Sequence, residues 1–262
     1  MKQTITFFCF FFCFFALATA QCNDKWRAGS AYALQGKTYV LTVFVSEKEW
    51  DYAEKMTLWN NIYEAQNWLV AQAQQYHQPL SFEGGNFGLE KTILLDYIPV
   101  GQATGDEPTN WVDVVLKKIG YSSNLAFLHW VKHHTDCTNA LVLIIANQEG
   151  TGYAMSYSQE MDKEKYFLES CLLYKNYPNH IALTSSSIAH ELLHLFGAWD
   201  LYETFEQSKD RETYARSLFP NDIMHRTSFN INELQIAPLT AWLVGLSAYQ
   251  ENWYEWFRPS GR

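Results

Sequence analysis

The sequence is short of positive charge. Nineteen Lys and Arg stand against 28 Asp and Glu, a formal net charge of −9 over 262 residues. A chain so balanced offers no basic surface for a phosphate backbone or anionic headgroups, which argues against nucleic acid or anionic membrane as its main partner. It also lacks a comfortable membrane span. The dense apolar run, Ile5 to Leu17, falls short of the roughly 20 residues that a span needs. No internal repeat, linker or second domain stands out. The glycine cluster Gly84-Gly85-Asn86-Phe87-Gly88 has no Lys-Ser/Thr pair and helix behind it, so it is not a phosphate loop. No motif supports a serine triad or a Cys–His nucleophile.

Cysteine is scarce as well. Of five, Cys9 and Cys13 fall inside the apolar run. That run follows Lys2, the single charge before residue 21, and leads to Ala18-Thr19-Ala20, a small-residue cleavage site. Residues 1–20 therefore read as an export signal, with Gln21 the first residue of a secreted or periplasmic product and no stable membrane anchor. Without Lys2 the formal charge moves from −9 to −10. Cys22, Cys137 and Cys171 remain, an odd number in an oxidising compartment, with three possible pairings. Cys137–Cys171 is the favoured bridge, since both flank segments leading to the helix described below.

The rest, residues 21–262, reads as a single α+β domain. Thr38 to Ser46 is rich in β-branched and aromatic residues and predicts a buried strand. Glu49 to Tyr76 carries Leu58, Ile62, Ala65, Leu69 and Ala73 at helical spacing and stops before Pro79. Further strands are expected at Thr92–Ile98, Ala140–Ala146 and Phe167–Tyr174, with an extended stretch from Gly150. Ala140–Ala146, the most apolar, is expected at the centre. A polar loop covers Gly101–Pro108, and a short helix runs from Asn110 to Ile119. Ser185-Ser186-Ser187 should cap a helix, and Pro238 should open another through Trp242 and Leu246.

The chemistry concentrates in His190-Glu191-Leu192-Leu193-His194-Leu195-Phe196-Gly197-Ala198-Trp199-Asp200. Histidines four apart on a helix share one face and can hold a single Zn2+ ion. Glu191 places a carboxylate beside the open position of such a metal. Gly197 can end the helix in the left-handed region, so that the chain reverses and returns Asp200 as third ligand. Ile188, Leu192, Leu195 and Ala189, Leu193, Phe196 form the apolar underside. Glu212, eighteen residues past His194, is the rival third ligand in a thermolysin-like arrangement.

The longer motif resembles that of the metzincin clan of zinc metallopeptidases, with Asp200 in place of the third histidine, as in the snapalysin-type members. Phe219-Pro220-Asn221-Asp222-Ile223-Met224-His225 resembles the clan's Met-turn, which implies that Met224 forms an apolar floor under the zinc histidines. The resemblance implies a zincin-like fold: a twisted mixed sheet, long helices, the zinc helix and a C-terminal sub-domain after it. It also implies that Gly152, Tyr153 and Ala154 lie on an edge strand that pairs with the substrate backbone. Many metzincins carry a tyrosine two residues after the Met-turn methionine; here Arg226 stands there, so oxyanion contacts fall to Arg226, to Tyr202, or to neither.

These readings converge on a secreted, monomeric zinc endopeptidase acting on protein or peptide. His190, His194 and Asp200 would be the metal ligands and Glu191 the general base. The alternatives are a zinc-dependent amidase or deacylase on a non-protein substrate, and a non-catalytic binding protein on a peptidase scaffold. His129 and His133 could share a helix face, but solvated histidines are the more usual reading. Trp253, Tyr254, Trp256 and Phe257 suggest an aromatic patch or, more simply, a packed C-terminal helix.

Overall fold

The computed structural model describes residues 29–99, 107–156, 168–204 and 207–259. Residues 1–20, expected to be an export signal, lie outside these, as do Gln21, Cys22 and most of the expected 101–108 loop. Among the described residues, no helix is long and apolar enough to cross a membrane.

The architecture is α+β. A curled mixed sheet contains β1 (Gly36–Ser46), β2 (Leu80–Phe87), β3 (Ile93–Leu94), β4 (Asn139–Glu149), β5 (Tyr153–Met155), β6 (Ser170–Tyr177) and β7 (Ile181–Ala182). The strand order is β2-β1-β4-β6-β5, with β3 paired to β1 and β7 to β6. Strands β2, β1, β4 and β6 are mutually parallel, whereas β5 runs antiparallel to β6 at the end of the sheet. The expected central strand is central: β4 lies between β1 and β6, and Ala140 through Ala146 are all buried. A strand buried on both faces needs a continuous apolar run, which Ala140–Ala146 supplies.

Helices α1 (Tyr52–Gln75) and α4 (Ser185–Leu195) lie against one face, and α2 (Glu107–Lys118) and α3 (Asn124–His134) against the other. Alternation along the strands builds both layers. Val40, Phe44, Leu141, Leu143 and Ile145 face α1 and α4, while Leu41, Val43, Val142 and Ile144 face α2 and α3. After α4 the chain adds α5 (Lys209–Leu218) and α6 (Pro238–Leu243), which extend the first of these cores. Helix α1 also holds segments that come before and after α4: Asn61 donates to the Leu183 carbonyl at 2.9 Å, and Tyr76 donates to the Ile236 carbonyl at 2.6 Å.

Several local expectations are corrected. The glycine cluster, expected to be a loop, lies mainly within β2; Gly84 has φ 155° and a Cβ there would meet the Val40 carbonyl oxygen at 1.9 Å, so the strands approach where no side chain fits. Only Ile93–Leu94 of the expected 92–98 strand pairs in the sheet. The strand expected at 167–174 is shifted to Ser170–Tyr177. Thr184, not the serine run, caps α4, its hydroxyl accepting from the Ser187 N–H at 3.2 Å. The polar connection after Asp200 contains α5, and the C-terminal aromatics form a 3-10 turn, Tyr254–Phe257, in place of an α-helix.

The favoured disulfide is not formed. Cys137 and Cys171 are both free thiols. Cys171 sits on β6 in the core beneath α4, whereas Cys137 packs with the cluster on the opposite side of the sheet. A sheet between two thiols keeps their Cβ atoms from meeting.

Candidate metal centre

Helix α4 carries His190, Glu191 and His194. Its Ile188, Ala189, Leu192, Leu193 and Leu195 are fully buried, which fixes how far it rotates about its axis. The helix ends in a Schellman motif. Gly197 takes φ 90°, its N–H donates to the His194 carbonyl at 2.8 Å, and the Ala198 N–H donates to the Leu193 carbonyl at 3.1 Å. That reversal turns the Ala198 carbonyl towards His194 Nδ1, at 2.9 Å. Buried Trp199 and Leu201 then anchor the chain on either side of Asp200.

The turn at residues 219–226 closes the site from below. Met224 is fully buried there. The Ile223 carbonyl lies 2.9 Å from His190 Nδ1, and the Met224 carbonyl accepts from the Leu201 N–H at 2.9 Å. Asp222 pins this turn: its carboxylate accepts from the Met224 N–H and the Ala237 N–H, each at 2.7 Å. Burial pushes the Asp222 carboxyl up to about 6, although those two N–H groups pull it down. Sequence reasoning passed over Asp222, and only its place two residues before Met224 hinted at it.

A carbonyl oxygen only accepts, so Nδ1 of both histidines carries the proton and Nε2 presents a lone pair. The two Nε2 atoms lie 3.2 Å apart, and Asp200 Oδ1 lies 3.2 Å from each. Three electron-pair donors thus face one another, and Asp200 Oδ1 is buried with no hydrogen-bond partner. Neutral histidines and a carboxylate so arranged repel unless a cation lies among them. The spacing suits zinc, since a tetrahedron with bonds of about 2.0–2.1 Å has edges of about 3.3–3.4 Å. Without a cation, a proton takes that part. Burial draws the His190 imidazole down, but Asp200 and Glu191 outweigh it and raise the group to about 9.

No protein-family model matches the chain, and no curated protein matches it. The donor set must therefore be judged on its own atoms. Glu212 does not join it: its carboxylate pairs with Lys209 at 2.9 Å and with Arg216. Among the described residues one other group is close enough to hold an ion, the mostly exposed Glu83, Asp136 and Cys137. Lys37 already neutralises it, 2.7 Å from Asp136 and 3.3 Å from Glu83. His129 and His133 do share a face of α3, with ring centroids 6.5 Å apart, but no carboxylate or thiol joins them.

A cleft of about 570 Å³ opens beside His190 and Glu191. Gly152 borders it, but Tyr153 packs on the far side of the sheet and Ala154 packs against the α1/α4 core. Tyr202 sits 6.0 Å, ring to ring, from His190. Its hydroxyl is held far above the usual range by burial and by the charges of Asp200 and Glu191. Tyr177, which no motif announced, also borders the cleft, and burial plus Glu191 push it up to about 12. Both hydroxyls stay protonated at neutral pH. His225 borders the cleft too, with neither ring nitrogen in a hydrogen bond. The C-terminal aromatics are packing: Tyr254 and Phe257 are buried, and Trp253 and Phe257 stack on Phe219 and Tyr214 respectively.

Proposed function

We propose that the chain is an exported zinc-dependent endopeptidase of metzincin type. The observation that carries this reading is the 3.2 Å triangle of His190 Nε2, His194 Nε2 and Asp200 Oδ1, with Glu191 facing the adjoining cleft. A zinc ion held by these residues supplies Lewis acidity, which acidifies water and polarises an amide carbonyl.

The remaining work belongs to the chain. The carbonyls of Ile223 and Ala198 fix the two imidazoles in one tautomer and one orientation, so the site is preorganised. Glu191, next to the first ligand and open to the cleft, accepts the proton of the attacking water and delivers it to the leaving amine. Tyr202 and Tyr177 remain protonated and can donate to a carbonyl oxygen as it gains charge. Gly152 brings the start of the β5 hairpin to the cleft, which favours an extended peptide over a compact non-protein amide. A deacylase would use the same residues and is the second reading.

The test is cleavage of an unfolded protein by purified chain, with and without a chelator. Chelation should abolish cleavage and zinc should restore it. Glu191→Gln should keep its zinc while turnover falls by roughly 10²–10⁴. Near-wild-type turnover in that variant removes Glu191 from the mechanism. Turnover of small acyl amides without cleavage of any protein favours the deacylase.

A further inference from the structure

We infer that Arg226 is a receptor for a carboxylate on the substrate, an inference that rests on the peptidase reading and names the class of peptide it takes. Among the described residues that line the cleft, Arg226 is the one Lys or Arg. Elsewhere Lys37, Lys175, Lys209 and Arg216 each sit in an ion pair, whereas Lys55 and Arg211 bond neutral acceptors away from the cleft. Arg226 pairs with no carboxylate among the described residues. Its bonds go to neutral acceptors, Nε to the Pro220 carbonyl at 3.3 Å and one terminal nitrogen to Asn221 Oδ1 at 3.1 Å.

Those two bonds orient the guanidinium without neutralising it. Of the roughly five N–H donors of an arginine, two are taken, so about three remain for a planar anion. The backbone beneath is stiff, because Asp222 accepts from Met224 and Ala237, and the Arg226 N–H donates to the Asp222 carbonyl at 3.2 Å. The wall that follows is also fixed: Ser186 Oγ donates to the Ser228 carbonyl at 2.6 Å and accepts from its N–H at 3.1 Å. Ile181 and Phe229 line the same cleft and are 50% and 85% exposed, so the cation stands among apolar surface that substrate would cover. A cation held in place, unneutralised and flanked by open apolar groups is complementary to a peptide with a carboxylate near the scissile bond. That carboxylate comes either from an Asp or Glu side chain or from the peptide's own C-terminus.

Binding to zinc-loaded Glu191→Gln protein separates this from turnover. Fluorescent peptides of about eight residues would carry Asp or Glu, against Asn or Gln, at each position in turn, with the C-terminus free or amidated. One acidic position, or the free C-terminus, should tighten binding about tenfold at low salt, and the gain should shrink as salt screens the exposed pair. Arg226→Gln in the same background should erase the gain while zinc content stays unchanged; Arg226→Lys should restore part of it. A gain confined to a side-chain position identifies an acid-directed endopeptidase, and one confined to the free C-terminus a carboxy-terminal peptidase. Equal binding of acidic and amide peptides, or a gain that survives Arg226→Gln, overturns the inference. Cleavage without acid preference overturns it alone, whereas carboxylate-dependent binding with no cleavage by wild type overturns the peptidase reading alone. No binding of any peptide counts against both.

Discussion

Replacing Asp200 by Ala separates the two candidate third ligands. Asp200 Oδ1 is one vertex of a triangle with 3.2 Å edges, and its loss leaves two imidazoles to hold the ion. Removing a partner outside the ligand set already costs about 10–100-fold in metal affinity, so loss of a ligand should cost at least 100-fold. At free zinc about 1,000 times the wild-type dissociation constant, binding adds about 4.1 kcal/mol to wild-type stability. A 100-fold weaker site at the same zinc adds about 1.4 kcal/mol. For a domain of this size, about 2–4 °C per kcal/mol turns this into a zinc-induced rise of roughly 8–16 °C in wild type and 3–6 °C in Asp200→Ala. The assay is thermal unfolding with zinc and with chelator, together with metal content after dialysis against a mild chelator. Glu212→Ala should lower the baseline, because Lys209 and Arg216 lose their partner, yet keep the full zinc-induced rise. Metal retained by Asp200→Ala but lost from Glu212→Ala would reverse the assignment.

The Met-turn-like segment should respond to pH through Asp222. Its carboxyl is raised from 3.8 to about 6 in the folded chain, so the folded state holds that proton more tightly than the unfolded one. Wild type should lose stability relative to Asp222→Asn as pH rises from about 4 to about 6; melting temperatures whose difference is flat over that window would refute it. Gly197→Ala should destabilise by roughly 1–2 kcal/mol, because φ 90° is strained for any residue with a Cβ. It should also weaken zinc binding by displacing the Ala198 carbonyl from His194, and unchanged metal affinity would show that this carbonyl does not matter. Alkylation followed by mass spectrometry should label Cys137 in the native protein and Cys171 only in denaturant; a disulfide-linked peptide joining them would contradict the observed separation.

What the sequence determined by itself was local and periodic. His190 and His194 share a helix face because 3.6 residues make a turn, and the apolar positions of α4 lie beneath them for the same reason. Ala140–Ala146 announced a central strand, since a run of seven apolar residues rich in Val and Ile is too short for a typical helix and suits a strand buried on both faces. Gly197 announced a reversal because a helix end in the left-handed region selects glycine. Distance-dependent facts were not legible. Strand β2 was hidden because Gly84 answers to the Val40 backbone of another strand. Cys137 and Cys171 looked pairable until the sheet came between them. Tyr177 carries no motif and Asp222 only its place before Met224, and both reach the candidate site because the turn at 219–226 and the end of β6 fold back on α4. Gly197 already favoured Asp200 over Glu212 in the sequence, and tertiary structure adds the surroundings of each carboxylate. Both carboxylates are within reach along the chain, but Glu212 is neutralised by its own helix, and Trp199 and Leu201 anchor Asp200 beside the histidines.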